Sequence, residues 1–464
     1  YQKLAAATLG EPGPGSPMPV GLSPLSENDL NLVRWWIYGG APRDGVVIDA
    51  IAYTPGCLPD PKPIEIKPLD PPAVGEGVQF EMPEFPLSPG LEVERCFASY
   101  YDVCDQVPDG VRTSNPSLPG VDFFAFDSRE LRMDPGSHHL ILNYSLVGAE
   151  QLHDPSFGAW TCAGGETPGA SCEPTESGAC GSGNCVSEYR DGFTCAGYGP
   201  SVGGARSSYF PIGGAQRAQD FRDYPDGVYN AIPCRGVLYW NPHAFNLTVE
   251  ERTTHARLNY YFADPDKLTY DNRGGLLGVN KIFIAHNAPF TRETYCNDFT
   301  FPRGARVHEV SSHTHKHGEH FWVTHPDGRL LYENYEYNDP REEVYDPPLE
   351  FDSADPAQRT VTYCATYNNG LKADGSPDVE LVTRASRVPE SARQPGSFGT
   401  CRPVACVNDG MVGAPCNGED DDAACDTSPG KGDGFCDACP ITGGESTENE
   451  MFLLIAGYYV VPVE

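Results

Sequence analysis

The stretch Ser311–Val323 reads SSHTHKHGEHFWV and ends in aromatic and β-branched residues. It contains four histidines within eight residues, His313, His315, His317 and His320. Its composition favours a β-strand over a helix. Strand side chains repeat with a period of two, so His313, His315 and His317 are expected to project from one face. Three imidazoles on one face can form one side of a metal site, and a solvated polar strand is the alternative.

Bulk composition narrows the class of protein. The chain has 464 residues, a formal net charge of −33, 17 cysteines, 50 glycines and 44 prolines. Such a negative surface repels nucleic acid and anionic lipid. The cysteines indicate disulfides and hence a secreted or periplasmic protein, and their odd number leaves at least one without a partner in this chain. No apolar run is long enough to span a membrane. Because the chain starts at Tyr1 with no visible signal peptide, we expect residues upstream of it.

From about residue 76 onward, short runs of alternating apolar residues are separated by Gly, Pro, Asn and Asp. These runs are GVQFEM, FFAFD, HHLILNYSLV, GVLYWN and HARLNYYFA. Short strands with turn signals between them predict a mainly β fold built from antiparallel β-sandwiches. Residues 46–75 are rich in Pro and Asp and are interpreted as a linker.

Residues 1–45 predict a small helical segment. Ser26 and Asp29 form a capping box, and apolar residues then recur at helical spacing. The segment resembles the C-terminal half of a small c-type cytochrome domain. That resemblance implies haem c with Met18 as an axial ligand. No CxxCH occurs in this segment, so the haem-attaching half would lie upstream of Tyr1. The alternative is a helical appendage in which Met18 only packs.

Two cysteine-rich inserts, 160–196 and 401–440, interrupt the strand pattern. They have few apolar residues, so we expect disulfides to hold them in place of a core. A zinc site at Cys436 and Cys439 is the less favoured alternative. The acidic run Glu419–Asp422, with Asp426 and Asp433, has the ligand type for Ca²⁺ but not the EF-hand spacing, and a solvated acidic loop is the alternative.

Further candidate metal ligands lie outside the opening stretch. His138 and His139 are adjacent at a strand start, and adjacent strand residues point to opposite faces. Both could reach one metal only at an irregular strand end, which Pro135 and Gly136 could supply. His243 lies in LYWNPHAFNLT. Met451 precedes an apolar strand, where core packing is the usual role.

Taken in sequence order, the motifs resemble one family. They are an adjacent histidine pair, a single histidine, a His-x-His and a late methionine. The family is the copper type II, ascorbate-dependent monooxygenases, which include peptidylglycine α-hydroxylating monooxygenase and dopamine β-monooxygenase. The segments RTVTYCATYNNG, LGVNKIFI, FTFPRGARVHEVSSHTHKHG and NEMFLLIAGYY are similar to family segments around these ligands. The resemblance covers about residues 76–464, interrupted by the two inserts.

The resemblance implies two β-sandwich (jelly-roll-like) domains in tandem, 76–273 and 274–464, each with one copper. The first copper would pass electrons and be bound by His138, His139 and His243. The second would activate O₂ and be bound by His313, His315 and Met451. His255 is the alternative to His243. Independently, imidazole suits copper and a thioether selects Cu(I). A zinc hydrolase is less favoured, because HExxH is absent.

The resemblance also bears on the substrate. Peptide-hydroxylating members carry an arginine two residues before the His-x-His, where this chain has Ser311. They carry an asparagine and a tyrosine two and four residues after the methionine, where this chain has Leu453 and Ile455. Without the guanidinium, the bidentate contact to a substrate carboxylate is lost. We therefore expect a less polar, non-peptide small molecule.

The sequence predicts a secreted, copper-dependent monooxygenase that hydroxylates a C–H bond. It would use O₂ and an electron donor, ascorbate or another reductant. The alternative is a non-catalytic secreted copper-binding or surface assembly protein on the same fold.

Overall fold

A computed structural model describes residues 67–463 with short gaps, together with residues 25, 26, 29, 30, 32 and 33. The gaps are 90–91, 116–117, 119, 135–136, 177, 190–194, 196–197, 201–209, 216–217, 247–249, 279–281, 285, 338–339, 386–400 and 445–448. Near the N-terminus, the Asp29 amide donates to Ser26 Oγ at 3.2 Å and the Leu30 amide donates to the Ser26 carbonyl at 2.9 Å, as an N-cap requires. Met18 lies outside the described residues.

The fold is mainly β, as the alternating sequence pattern predicts. The strands between residues 77 and 271 pair among themselves and form what we call the first sandwich. These strands are β1 (Gly77–Glu81), β2 (Phe85–Leu87), β3 (Glu92–Glu94), β4 (Cys96–Asp102), β5 (Arg112–Ser114), β6 (Asp122–Met133), β7 (Ser137–Ser145), β8 (Trp160–Ala163), β9 (Asn184–Tyr189), β10 (Phe210–Ala215), β11 (Gln219–Asp223), β12 (Val228–Pro233), β13 (Arg235–Phe245), β14 (Arg252–Thr254), β15 (Ala256–Phe262) and β16 (Tyr270–Asp271).

Two seven-stranded sheets build the first sandwich. Sheet I has the order β1-β15-β6-β12-β16, with β5 and β11 also paired to β6. Sheet II has the order β10-β7-β13-β4-β9-β8, with β3 paired to β13. Apolar side chains of both sheets meet in one buried core, for example Phe124 and Tyr260 from sheet I with Leu142 and Trp240 from sheet II. Burial of these side chains is the main force that holds the two sheets together.

The strands between residues 273 and 460 form the second sandwich. They are β17 (Arg273–Leu277), β18 (Arg292–Thr300), β19 (Ala305–Thr314), β20 (Gly318–Thr324), β21 (Leu330–Asn334), β22 (Glu343–Phe351), β23 (Thr360–Asn368), β24 (Ala405–Cys406), β25 (Cys436–Ala438) and β26 (Phe452–Val460). Sheet III has the order β17-β26-β19-β22 and sheet IV the order β18-β23-β20-β21. Their shared core includes Val310 and Leu454 from sheet III with Phe321 and Tyr363 from sheet IV.

Short 3₁₀ helices connect some of these strands. They are Cys104–Gln106, Asp109–Val111, Ala149–Gln151, Pro155–Phe157, Pro265–Lys267, Pro356–Arg359 and Glu419–Cys425. Among the described residues, no helix has the length and apolar character needed to cross a membrane.

Eight disulfides cross-link the described part of the chain. They join Cys96–Cys195, Cys104–Cys234, Cys162–Cys180, Cys172–Cys185, Cys296–Cys364, Cys401–Cys439, Cys406–Cys425 and Cys416–Cys436. The one further cysteine, Cys57, lies outside the described residues. Disulfides in this number form and persist in an oxidising compartment.

The two inserts differ in how they are stabilised. In the second insert, three buried half-cystines, Cys406, Cys425 and Cys436, form their own cluster, as expected where disulfides replace a core. For the first insert, the expectation that disulfides hold it in place of a core is only part of the explanation. Its strands β8 and β9 also extend sheet II beyond β4. Trp160 at the start of this insert packs with Phe157 in a second apolar cluster on the first sandwich.

Strand alternation decides which residues face outward from each sandwich. In β7, Leu140 and Leu142 point into the core, so the odd-numbered residues between and beside them point away from it. In β26, Phe452 and Leu454 point into the core, and Leu453 lies on the opposite face. The outward faces of sheets II and III border a single cleft between the sandwiches.

A buried ionic cluster joins the two sandwiches at this cleft. Arg222 of β11 donates to Glu309 of β19 and to Glu342, both in the second sandwich. Its Nε also lies 3.2 Å from Asp220 Oδ2, and Arg129 Nη2 lies 3.3 Å from the same oxygen. Burial alone would lower the pKa of Arg222, but the three carboxylates raise it above its ordinary value, so the guanidinium stays charged.

Replacing Arg222 by Met should loosen the contact between the sandwiches. The change leaves three carboxylates together in a largely buried place without their shared cation. We expect the free energy of unfolding to fall by about 3 kcal/mol. The radius of gyration in small-angle X-ray scattering should rise as the cleft opens.

Arg292→Met is the matched control. Arg292 contacts Glu319 with two hydrogen bonds, but both side chains are partly exposed and belong to the second sandwich. An exposed pair contributes about 0–1 kcal/mol. An unchanged radius of gyration in Arg222→Met would contradict a bridging role for Arg222.

Candidate metal centre

The first histidine pair is formed by neighbouring strands of sheet II. His139 in β7 lies directly opposite His243 in β13. Directly opposed residues on neighbouring strands share one face of the sheet. The two ring centres are 4.8 Å apart and the planes meet at 76°. Both side chains are buried, at 8% and 2% exposure, and both line the cleft.

His138 occupies an irregular position of the backbone. Its side chain lies outside the described part of the structure. His243 pairs with His139, whereas the next residue, Ala244, pairs with Ser137. His138 is therefore an additional residue in β7, a bulge, and bulges re-aim the side chains around them. The irregularity that two adjacent histidines would need to share one metal is present in the backbone.

His255, the alternative third ligand, lies elsewhere. Its carbonyl accepts a hydrogen bond from the Asp134 amide at 3.0 Å. Burial, with a smaller contribution from Arg257, lowers the pKa of His255. Of the two alternatives, His243 is the one whose ring lies beside His139.

The second histidine pair lies at the end of β19, across the cleft from the first. The ring centres of His313 and His315 are 5.1 Å apart and their planes are nearly perpendicular, at 89°. Nδ1 of His315 lies 2.9 Å from the carbonyl oxygen of Asn449. Because a carbonyl only accepts, Nδ1 carries the proton of the neutral ring and Nε2 carries the lone pair. Histidines that bind metals are commonly oriented in this way.

Met451 lies at the same end of sheet III. Thr314 is directly opposite Phe452, so the residues one step beyond, His315 and Met451, lie next to each other where the two strands end. Met451 is 4% exposed and lines the cleft with both histidine pairs. The Tyr367 hydroxyl donates to the Met451 carbonyl at 3.0 Å, which fixes this part of the chain.

Glu450 is a functional candidate that the sequence interpretation missed. It is fully buried and accepts the His315 amide on Oε2 at 2.9 Å and the His317 amide on Oε1 at 2.7 Å. This carboxylate holds the turn after β19 against the strand that carries Met451. The sequence contains a signal that could have identified Glu450, because it is an acidic residue directly before an apolar strand, at a position where burial was expected.

The expectation that His317 shares a face with His313 and His315 is wrong. β19 ends at Thr314, and the turn that follows directs His317 away from the cleft. Its Nδ1 lies 3.2 Å from the Asn368 carbonyl, and its Nε2 lies 2.9 Å from Thr383 Oγ1. Both ring nitrogens are thus engaged by the protein.

The remaining histidines of the opening stretch and its flank also lie away from the cleft. His320 stacks between Trp322 and Tyr335, with ring centres 4.6 and 4.3 Å away. His325 Nδ1 lies 2.9 Å from an Asp327 carboxylate oxygen.

The cleft between the sandwiches has a volume of about 400 Å³. When two imidazoles bind one metal, each metal–nitrogen distance is about 2.0–2.1 Å. If the nitrogen–metal–nitrogen angle is near 100°, the two ring centres then lie roughly 5 Å apart. Both observed pairs match this spacing. Imidazole with a thioether is also a ligand set that suits copper. The residues present therefore fit the two copper ions that the family resemblance implies.

The three predicted substrate-contact residues line the same cleft. Ser311 lies opposite Ile455, and His313 lies opposite Leu453, in the pairing of β19 with β26. The Ser311 hydroxyl donates to the Arg341 carbonyl at 3.0 Å. The outward face of sheet III therefore presents one histidine pair together with two aliphatic side chains.

The cysteine groups are not metal sites. In the described part of the chain, three cysteine sulfurs lie close together in two places. One group is Cys162, Cys172 and Cys180, and the other is Cys406, Cys416 and Cys425. All six belong to disulfides. The zinc alternative at Cys436 and Cys439 is wrong for the same reason, since each of these cysteines is bonded to another half-cystine.

The carboxylates of the acidic loop accept hydrogen bonds from within the insert. Asp422 accepts from the Cys436 amide at 2.8 Å and Asp426 from the Gly434 amide at 3.0 Å. Asp433 accepts from the Thr427 amide at 3.0 Å. Ca²⁺ binding here stays a prediction.

Neither protein-family models nor curated proteins gave a match to this chain.

His317 should contribute a pH-dependent part of the stability. Burial, helped by Lys316, lowers the pKa of His317 to about 4, whereas the unfolded chain takes up a proton near 6.5. The contribution is present above about pH 6.5 and is lost as the pH falls toward 4. Between pH 7.5 and pH 5 the loss should be about 2 kcal/mol.

Urea unfolding of His317→Asn at these two pH values should therefore show a smaller acid loss than the unsubstituted protein. His153→Asn, which changes an exposed histidine of the first sandwich, is the control and should keep the full loss. The same acid loss in His317→Asn and in the control would contradict this assignment.

Glu450→Gln should weaken the turn that carries His315. One carboxylate oxygen is replaced by an amide NH₂ that faces a backbone N–H, so one hydrogen bond is lost and two donors oppose each other. We expect a loss of about 1–3 kcal/mol of stability. The amide hydrogens of His315 and His317 should exchange faster in NMR or mass spectrometry.

Glu293→Gln, an exposed strand position of the same sandwich, is the control. If the two histidine amides exchange equally fast in both variants, Glu450 does not hold the turn.

Proposed function

We propose that the protein is a dicopper monooxygenase that hydroxylates a C–H bond of a small molecule. The balanced reaction is R–H + O₂ + 2 e⁻ + 2 H⁺ → R–OH + H₂O. Both electrons come from an external reductant, ascorbate or another one-electron donor. One oxygen atom enters the product and the other leaves as water.

The observation that carries this proposal is the position of the ligands. One histidine pair from each sandwich lines the same cleft, and Met451 lies beside the second pair. The family resemblance implies this distribution, with one copper on each of two β-sandwich domains. A hydrolytic zinc site would use imidazole, carboxylate or thiolate ligands and no thioether.

The chain's own residues have distinct roles in this proposal. His139 and His243, with His138, would hold the electron-transferring copper, and His313, His315 and Met451 the copper at which O₂ is reduced. When bound, the two ions would supply one electron each to the reaction. Asn449 orients the His315 ring, and Glu450 fixes the turn that presents it. The Met451 thioether favours the reduced ion.

The cleft itself favours an enzyme over a non-catalytic copper-binding or assembly protein. A scaffold gains from filling the space between its two metal sites, whereas an enzyme needs it for substrate. The space here is open, with a volume of about 400 Å³, within the range of small-molecule sites.

The eight disulfides support a secreted or periplasmic location. Haem c as an electron source, with Met18 as its ligand, stays a prediction because that segment lies outside the described residues.

Copper loading and O₂ consumption test the function. The protein reconstituted with copper should hold two ions per chain and consume O₂ in the presence of ascorbate. Met451→Ala should abolish O₂ consumption and keep the copper at the first histidine pair, because only the second site loses a ligand. Copper content is measured by mass spectrometry and O₂ with an electrode.

Met411→Ala, a partly buried methionine of the second insert, is the matched control and should keep both coppers and full O₂ consumption. Two coppers with no O₂ consumption would favour the non-catalytic alternative. O₂ consumption that survives in Met451→Ala would overturn the assignment of the second site.

A further inference from the structure

We infer that the cleft selects a small, uncharged and mainly apolar molecule as its ligand. The inference rests on the proposed function for the site of reaction, but the binding selectivity stands on the lining of the cleft.

Aliphatic and aromatic side chains line the cleft from both sandwiches. They are Ile141 from the first sandwich and Leu276, Ile282, Phe283, Leu453 and Ile455 from the second. Leu276 and Phe283 are each 46% exposed and lie in the same cleft as the other apolar side chains. A large apolar surface left open in a cleft is typical of a binding site.

The charges along the cleft disfavour an anion. The described lining residues include two arginines, Arg129 and Arg222, and four acidic residues, Glu94, Asp220, Glu309 and Glu342. Both arginines already contact carboxylates of the protein. A ligand carboxylate would enter a region with more negative than positive groups, in which both guanidinium groups already pair with protein carboxylates and, among the described residues, only Nη1 of Arg129 is without a hydrogen-bond partner.

The wall of the cleft beside the second histidine pair also disfavours an anionic ligand. Ser311, which faces the cleft two residues before His313, donates its hydroxyl to the Arg341 carbonyl. The guanidinium of Arg341 pairs with Glu343. On the neighbouring strand, Ile455 lies opposite Ser311 and Leu453 opposite His313, so this wall offers van der Waals contact in place of an ion pair.

The size of the cleft limits the ligand further. Its volume of about 400 Å³ lies near the lower end of the 300–1,000 Å³ range of small-molecule sites. It therefore has room for one small molecule.

Binding of three probes with the same hydrocarbon body tests the inference. Octan-1-ol, octanoate and octylamine are titrated into the copper-free protein by isothermal calorimetry at pH 7.5. Octan-1-ol should bind, and octanoate should bind at least tenfold more weakly, because its charge would be buried without a partner. Octylamine should also bind more weakly than octan-1-ol. Octanoate binding less than tenfold more weakly than octan-1-ol, octylamine binding as tightly as octan-1-ol or more tightly, or no binding of octan-1-ol would overturn the inference.

Two variants locate the binding. Leu276→Asp places a charge in the apolar part of the cleft, at a position exposed enough to tolerate it, and should weaken octan-1-ol binding at least fivefold. Leu330→Asp is the matched control, since Leu330 is a strand residue with 51% exposure that does not line the cleft. Equal weakening by both variants would contradict binding in the cleft.

Ser311→Arg should change the selectivity of the cleft in favour of the anionic probe. A guanidinium beside the second histidine pair should raise the affinity for octanoate relative to octan-1-ol. An unchanged ratio of the two affinities would mean that the ligand does not lie beside Ser311 and would overturn binding at this wall of the cleft. Because all these measurements use copper-free protein, failure of the selectivity is distinguishable from failure of the monooxygenase proposal, which copper content and O₂ consumption decide.

Discussion

The arrangement of this protein depends on the ionic cluster around Arg222. Each sandwich has its own core and can bury its apolar residues alone, so core packing does not fix how the two sandwiches face each other. Arg222 connects a strand of the first sandwich to Glu309 and Glu342 of the second, and it shares Asp220 with Arg129. Such a cluster contributes little net stability, since burial of charge is costly, but it is specific in geometry. Together with the stacked rings of Tyr270 and Tyr459, whose centres are 5.0 Å apart, it joins the two sandwiches beside the cleft that both histidine pairs line.

Within each sandwich, strand alternation produces the face that carries the histidine pair. The period of two that directs Leu140 and Leu142 into the first core directs His139 to the cleft. The same rule in β19 and β26 places His313 and Leu453 outward together. The residues that face the cleft are thus determined mainly by core formation. Two local features, the bulge at His138 and the Glu450 carboxylate, adjust the strand ends.

Much of this could be predicted from sequence because it rests on local periodicity. The mainly β fold and the proximity of His313 to His315 follow from alternation over a few residues. What could not be predicted depends on where a strand ends or on partners far along the chain. His317 leaves the shared face because β19 stops at Thr314, and no local pattern marks that end. Arg222 lies 87 and 120 residues from its partners in the second sandwich. The extension of sheet II by the first insert was missed because its cysteines dominate the pattern.

In the proposed function, two metal sites, one on each sandwich, face a single cleft. Anomalous X-ray scattering at the copper absorption edge from crystals of the copper-loaded protein tests it most directly. Two peaks are expected, one beside His139 and His243 and the other beside His313, His315 and Met451, both bordering the same cleft. A single peak shared by both pairs, or peaks only at other residues, would contradict it.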